Sequence, residues 1–280
     1  MTATAVHTWL EFMLGRPEPT VAQTKLVHDP REFAWHCFLC SLYFSALCLG
    51  LPRLIKRLFP AFYAALDETK LAELPAFASG FMHHIVIVPI GLLDIYRDYL
   101  RTGTAALEID YVRTLTASVS AVPFTFGYIV GDTLFLAIGE LLKGKVAYAI
   151  HHGATFVLYY VLLQAQGSIV RYMPHLYICE ASNLVFEVAW FLRAAGYRDS
   201  LAIQVVEILF VVVFFVTRIV NLPICVYAVV ALPGTKLLSA VLPWTLGVVV
   251  LLQFYWFARI LQVLAGKIAR RSAGKEKKDK

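Results

Sequence analysis

The sequence predicts an all-α fold, a multi-pass bundle of about seven transmembrane helices. Three observations carry that prediction. Hydrophobic residues make up 59% of the 280 and charged residues only 16%, where a soluble domain carries about a quarter charged, and the mean hydropathy is +0.69. Apolar windows near 33–51, 76–96, 114–139, 146–164, 172–192, 201–231 and 237–265 reach or approach the ~20 residues that a helix needs to cross the hydrocarbon. These runs are continuous, whereas the strands of a membrane barrel alternate apolar and polar residues in segments of about ten.

Taken in chain order, residues 1–32 mix Arg16, Lys25 and Arg31 with Glu11, Glu18, Asp29 and Glu32 around Pro17, Pro19 and Pro30. They contain neither an apolar h-region nor a small-residue cleavage site, so a segment outside the membrane is expected rather than a cleaved signal peptide. The first span begins near Phe33 as an uncleaved anchor and, with the loop after it, forms the unit 33–73. The six remaining spans fill residues 74–265, and a basic tail occupies 266–280. Pro89, Pro123, Pro174, Pro223 and Pro243 fall within five of the spans, where the proline ring removes a backbone donor and can kink a helix.

Orientation follows from the connecting segments, which collect fifteen Lys and Arg on one side and eight on the other, seven of the fifteen in the tail. The positive-inside rule then puts the C-terminus in the cytosol and the N-terminus in the lumen. The net charge of +6 is concentrated in that same juxtamembrane tail. There, anionic headgroups explain it better than nucleic acid, which is not expected as a partner. The last four residues, Lys277-Lys278-Asp279-Lys280, have the form of a dilysine retrieval signal. On a cytosolic end, Lys277 and Lys278 would engage coat proteins and return the chain to the endoplasmic reticulum. All five cysteines lie in predicted spans as small buried hydrophobes, and no disulfide framework is implied. The Cys37-x-x-Cys40 pair lacks a second ligand pair for a metal site.

Against this apolar background, His83, His84, Asp132, His151, His152, Glu180, Glu207 and Arg218 stand inside predicted spans. Ionisable groups are costly in a bilayer and face a protein interior or a wet cavity, so together they mark a functional site. Counting 1.5 Å per residue from the cytosolic ends places His83 and His84 about 11 Å deep, Asp132 about 10 Å, His151 and His152 about 8 Å, and Glu207 about 9 Å. Glu180 and Arg218 fall nearer the middle of the membrane. The set is expected to line a funnel open to the cytosol. Helical phase puts Glu207 and Arg218 on one face, His83 with Asp94 on another, and Tyr128 beside Asp132. Glu180, Asn183 and Glu187 form a polar stripe on a single helix.

The order of motifs resembles the TLC-domain family, whose members include ceramide synthases. It is carried by Tyr128-x-x-x-Asp132, by His151-His152-x-Ala154-Thr155, by Glu180-x-Ser182-Asn183 with a Trp190-Phe191-Leu192 end, and by Phe215-x-x-Arg218. The resemblance covers roughly residues 74 to 265. It implies a bundle resident in the reticulum, in which six helices surround a lipid-sized cavity with one additional N-terminal helix. It further implies acyl-CoA-dependent acyl transfer to a sphingoid amine, without a bound cofactor, through a paired-histidine site.

Carried over by motif, His151 and His152 are the reactive pair, as general base or transient acyl acceptor. Asp132 orients one imidazole, and Tyr128 holds the carboxylate. His83, His84, Glu180, Ser182, Asn183, Glu207 and Arg218 are expected to bind the lipid substrate. Imidazole suits either role because its ordinary pKa lies near neutrality.

The chain departs from ceramide synthases after Thr155, continuing Phe156-Val157-Leu158-Tyr159-Tyr160. It offers Glu180, Asn183 and Glu187 where those enzymes carry a closely spaced acidic pair. In this it is closer to the less characterised TLC-domain proteins, some of them implicated in phospholipid composition, sphingolipid balance or cargo export. A nonenzymatic lipid-composition regulator or a cargo receptor of the reticulum is therefore the alternative to an enzyme, with a transporter behind both. A metal site joining the histidine pairs to Asp132 or Glu180 would resemble lipid desaturases, but those use many histidines in short clusters outside the hydrocarbon, and no metal is assigned.

Overall fold

The computed structural model describes residues 30–102, 121–144, 146–164, 173–198, 200–231 and 236–276. The expectations for residues 1–29, for the window start at 114–120, and for the ending with Lys277 and Lys278 lie outside the described residues. Among the described residues the regular structure is entirely helical, as an all-α multi-pass bundle requires. The helices are α1 Pro30–Leu58, α2 Pro60–Ala64, α3 Glu68–Thr102, α4 Val122–Asp132, α5 Ile138–Leu142, α6 Val146–Gln164, α7 Met173–Cys179, α8 Ala181–Ala194, α9 Leu201–Phe214, α10 Leu222–Ala231 and α11 Lys236–Glu276.

Among the described residues, five stretches are individually long and apolar enough to cross a membrane: Arg31–Leu58, Glu68–Tyr96, Val122–Leu142, Leu201–Tyr227 and Pro243–Lys267. The fourth window appears as the shorter apolar helix Val146–Leu158. The fifth window is not one helix, because a turn at Glu180 splits it into α7 and α8. Polar groups concentrate at that break. Glu180 accepts from Asn183 Nδ2 at 2.6 Å, and the Ser182 hydroxyl donates to the Cys179 carbonyl at 3.0 Å.

Neighbour relations close a ring. α3 packs on α4, α7 and α8; α8 packs on α9; the α9–α10 span packs on α11; α11 packs on α6; and α6 returns to the α4–α5 span. Six helical passes thus enclose a common interior, and α1 lies outside it against α3 and most extensively α4. The close approach of α1 and α4 has a local cause. A Cβ at Gly127 would lie 2.6 Å from Cys40 Cβ and 2.7 Å from the Ser41 nitrogen, and one at Gly131 would lie 3.2 Å from Phe44 Cβ. Gly127-x-x-x-Gly131 is therefore a small-residue seam of the kind that lets membrane helices touch backbone to backbone. At the end of α8, Gly196 takes φ +93° while Tyr197 N–H donates to Leu192 O and Gly196 N–H to Arg193 O, a Schellman ending that needs glycine.

Among the described residues, two spans widen into π turns, at Thr133–Ala137 between α4 and α5 and at Phe215–Asn221 between α9 and α10. Each contains a threonine whose hydroxyl donates to the carbonyl four residues back, Thr133 to Ile129 at 2.6 Å and Thr217 to Val213 at 2.8 Å. Such back-bonds loosen the helical ladder. Thr155 makes the same bond inside the regular α6, so the hydroxyl alone is insufficient. The π turns have added partners. Thr133 Oγ1 also meets His152, and the Thr217 carbonyl also accepts from the Cys179 thiol and Asn221 Nδ2. Pro223, two residues beyond the second π turn, removes a further backbone donor. Of the other prolines in the apolar windows, Pro89 and Pro243 lie inside helices, whereas Pro123 and Pro174 sit at helix starts, where no donor is lost.

Candidate functional site

The helical ring encloses a cavity of about 650 Å³, and α1 contributes nothing to its wall. Apolar side chains such as Leu158, Phe186, Phe210, Phe214, Val249 and Leu264 line most of it. Polar groups gather at two levels.

The inner level begins where α4 faces α6. Asp132 Oδ2 lies 3.1 Å from His152 Nε2, and His152 Nδ1 lies 2.7 Å from Thr133 Oγ1. The Thr133 hydroxyl spends its single proton on the Ile129 carbonyl, so its oxygen accepts from His152 Nδ1–H. That bond makes Nδ1 the donor and leaves Nε2, the nitrogen that faces Asp132 and the cavity, as the one that takes up or gives up a proton. His151 meets the edge of Trp256, with ring centroids 5.3 Å apart, and its buried Nδ1 has no hydrogen-bond partner among the described residues.

The opposite wall carries a second histidine pair. His84 Nδ1 bonds both oxygens of Glu187, at 2.9 and 3.0 Å, while Nε2 faces Glu180 Oε2 at 3.3 Å. That second approach lies in ion-pair range, but its angle leaves Nε2 without a hydrogen bond. His83 bonds Thr125 Oγ1 at 3.2 Å and stacks on Tyr128, with centroids 4.1 Å apart and planes 11° apart. Gly80 makes room for this arrangement, since a Cβ there would collide with the Glu187 carboxylate.

Arg218 ties the inner level together. Its Nε donates to Cys179 O at 3.0 Å and Ser182 Oγ at 2.7 Å, Nη1 to Gln253 Oε1 at 3.1 Å, and Nη2 to Glu180 Oε2 at 3.3 Å. Four acceptors thus meet an arginine that is 5% exposed, and a buried cation requires partners of this kind. Beneath it, Asn221 Nδ2 donates to the His175 carbonyl while Asn221 Oδ1 meets His175 Nδ1, both at 3.1 Å, locking α7 to the second π turn.

The outer level lies about 16 Å away, the rise over the eleven residues from Glu207 to Arg218. There Glu207 Oε1 accepts from Lys267 Nζ at 2.6 Å and Arg193 Nη2 at 2.8 Å. Glu207 and Arg218 share a helical face and both reach the cavity wall. One expectation is corrected: Glu207 is not level with the histidines, which gather around the height of Arg218. Depth counting assumes that every span starts in one plane, whereas Glu207 stands beside Arg193 in the last turn of α8 and beside Lys267, where the apolar stretch Pro243–Lys267 ends. Ser182 also differs from expectation: fully buried behind the wall, it holds Arg218 rather than facing the cavity. The remaining expected residues, His83, His84, Tyr128, Asp132, His151, His152, Glu180, Asn183 and Arg218, line one cavity together with Glu207. Tyr128 lies flat on His83 there.

Compared with known protein families, residues 78–262 match the TLC domain. The chain belongs to the TLC-domain family. It is a multi-pass membrane protein linked through that domain to lipid metabolism or sensing. No curated protein and no solved structure matches it.

Within this TLC domain, the site includes residues that the motifs alone did not single out: Thr133, Thr125, Glu187, Gln253 and Trp256. Gln253 had a visible signal, a lone amide in the apolar run Leu251 to Tyr255. Glu187 stood in the polar stripe, but its partner His84 is 103 residues away in sequence. Thr133 had no signal, because a threonine in an apolar helix is unremarkable until its neighbour is known. Among the described residues, no group of three or more His, Cys, Asp and Glu is arranged to hold a metal ion.

Proposed function

We propose that this TLC-domain protein transfers an acyl group from acyl-CoA to a lipid acceptor within the cavity, with His152 as general base. One observation carries the reading: a histidine whose Nδ1 is fixed as donor by Thr133 presents Nε2 to a carboxylate 3.1 Å away, on the wall of an apolar cavity. The acceptor amine or hydroxyl would come between Nε2 and Asp132 and give its proton to Nε2 as it attacks the thioester carbonyl. The new C–N or C–O bond forms as the C–S bond breaks, and the proton passes from Nε2 to the departing thiolate. Asp132 offsets the imidazolium charge between those transfers, and general-base assistance of this kind contributes about 10²–10⁴-fold. The acyl chain occupies the stretch lined by Phe186, Phe210 and Phe214. An endoplasmic reticulum location, a lumenal N-terminus, a cytosolic C-terminus and coat-protein recognition of Lys277 and Lys278 complete the proposal, supported by the charge asymmetry and the dilysine ending.

The test is acyl transfer by purified protein in lipid, with labelled long-chain acyl-CoA offered to sphingoid and phospholipid acceptors. Product formed by the native protein and lost in His152→Ala supports the reading and names the acceptor class. Folded, lipid-binding protein that yields no product overturns it.

A second reading, a nonenzymatic regulator of lipid composition or a cargo receptor, draws on the contacts that Arg218, Glu180, His84 and Glu187 make with one another. Groups paired in this way are free to serve as posts of a binding cavity. Lipidomes of cells expressing native and His152→Ala forms separate the two: a change retained by the variant favours regulation or trafficking.

A further inference from the structure

The outer level of the cavity has a charge pattern that acyl transfer at His152 does not use. Arg193 and Lys267 converge on one carboxylate oxygen, Glu207 Oε1, from α8 and α11. Two cations sharing one anion leave a surplus positive charge, and Arg259, two turns back along α11 on the cavity wall, adds another. The side chains of Arg193 and Lys267 are 37% and 42% exposed, so a ligand can reach both. All four groups line the same cavity. Arg193 in the last turn of α8 and Lys267 at the end of the apolar stretch Pro243–Lys267 sit where basic side chains meet the membrane interface.

From this geometry we propose that Arg193 and Lys267 form a binding site for a phosphate group, which Glu207 occupies as an internal competitor until the ligand arrives. A phosphate offers several acceptor oxygens to a forked guanidinium and an ammonium, where the single Glu207 oxygen serves both. Binding breaks the two contacts to Glu207 and makes stronger ones to the ligand, while the ligand's apolar part continues into the cavity. The same chemistry fits an anionic phospholipid headgroup and a soluble phosphate-bearing carrier. Phosphate binding needs no turnover, so this site goes beyond the acyl-transfer reading.

The experiment measures binding by the full-length protein in phosphatidylcholine nanodiscs, with coenzyme A as the soluble probe and discs containing phosphatidic acid as the lipid probe. Arg193→Gln and Lys267→Gln are each expected to weaken binding about tenfold, and Glu207→Gln to tighten it about threefold, the scale of one partly exposed ion pair. Response to coenzyme A in neutral discs assigns the site to a soluble carrier, and response to phosphatidic acid alone assigns it to a lipid headgroup. No binding of either probe, or Glu207→Gln weakening it in protein that keeps its native melting temperature, overturns the proposal. His152→Ala is carried through as a control. It retains phosphate binding if the site is as described, so loss of acyl transfer and loss of this site are read separately.

Discussion

Asp132 Oδ2 and His152 Nε2 face each other at 3.1 Å across the junction of α4 and α6, where the first π turn begins. A carboxylate there holds the positive charge that a base acquires, and an amide of the same shape does not. Asp132→Asn is therefore expected to lower the acyl-transfer rate about 10²–10⁴-fold with little change in thermal stability. Rate and melting temperature measured on one preparation check both halves of the expectation.

Arg218 stabilises the bundle through a different balance. Removing it leaves Glu180 facing Asn183 and His84 without its cation, and leaves Gln253 without a donor at Oε1. Losing one partner of a buried pair costs about 3–5 kcal/mol, and Arg218→Met should fall near the low end because Glu180 lines the cavity. Reversible unfolding in mixed micelles measures the loss, and Arg218→Met/Glu180→Gln should recover part of it. Equal stability of the single and double variants would contradict this account.

Gly80 is sized for the carboxylate of Glu187. Gly80→Ala must displace that group from His84 and should cost about 1–3 kcal/mol, the usual scale of overpacking. In a double-mutant cycle with Glu187→Ala, the two losses should fall well short of additive, because the second change removes the atom that the first one strikes.

Outside the membrane, Asp67 opens α3: its Oδ1 accepts from the Lys70 backbone N–H at 2.9 Å and its Oδ2 from Lys70 Nζ at 2.6 Å. These bonds from Lys70 hold its carboxyl below the usual carboxylate range. A folded-state value below the unfolded one means that the stabilisation is complete above the unfolded value and fades as pH falls through the folded one. Amide exchange in the first turn of α3 should accelerate over that acidic window in the native protein. In Asp67→Asn it should show no such step.

Much of this architecture was legible from hydropathy alone, because apolar length is set by membrane thickness and requires no knowledge of neighbours. The gathering of His83, His84, Asp132, His151 and His152 was equally legible, since ionisable groups in such runs have few places to go. What escaped depends on distant partners. The break at Glu180 is held from outside by Arg218, 38 residues on. The seam at Gly127 exists because α1 rests there. Glu207 shares a helical face with Arg218 as its phase implied, but its partners, Lys267 of α11 and Arg193 of α8, are 60 and 14 residues away in sequence.

The two π turns bear on how these spans tolerate changes in length. A π turn accommodates a surplus residue without rotating the helix beyond it, whereas adding or deleting one residue elsewhere in a helix turns every later side chain by about 100°. Within Thr133–Ala137 and Phe215–Asn221, a single residue is therefore dispensable to the phase of the span. Losing it would tighten the coil beside Asp132 or Arg218 and leave both flanking faces aimed as before. Helical register and local chemistry are thus separable at these two points, so a deletion there alters the site while the rest of the scaffold stays in register.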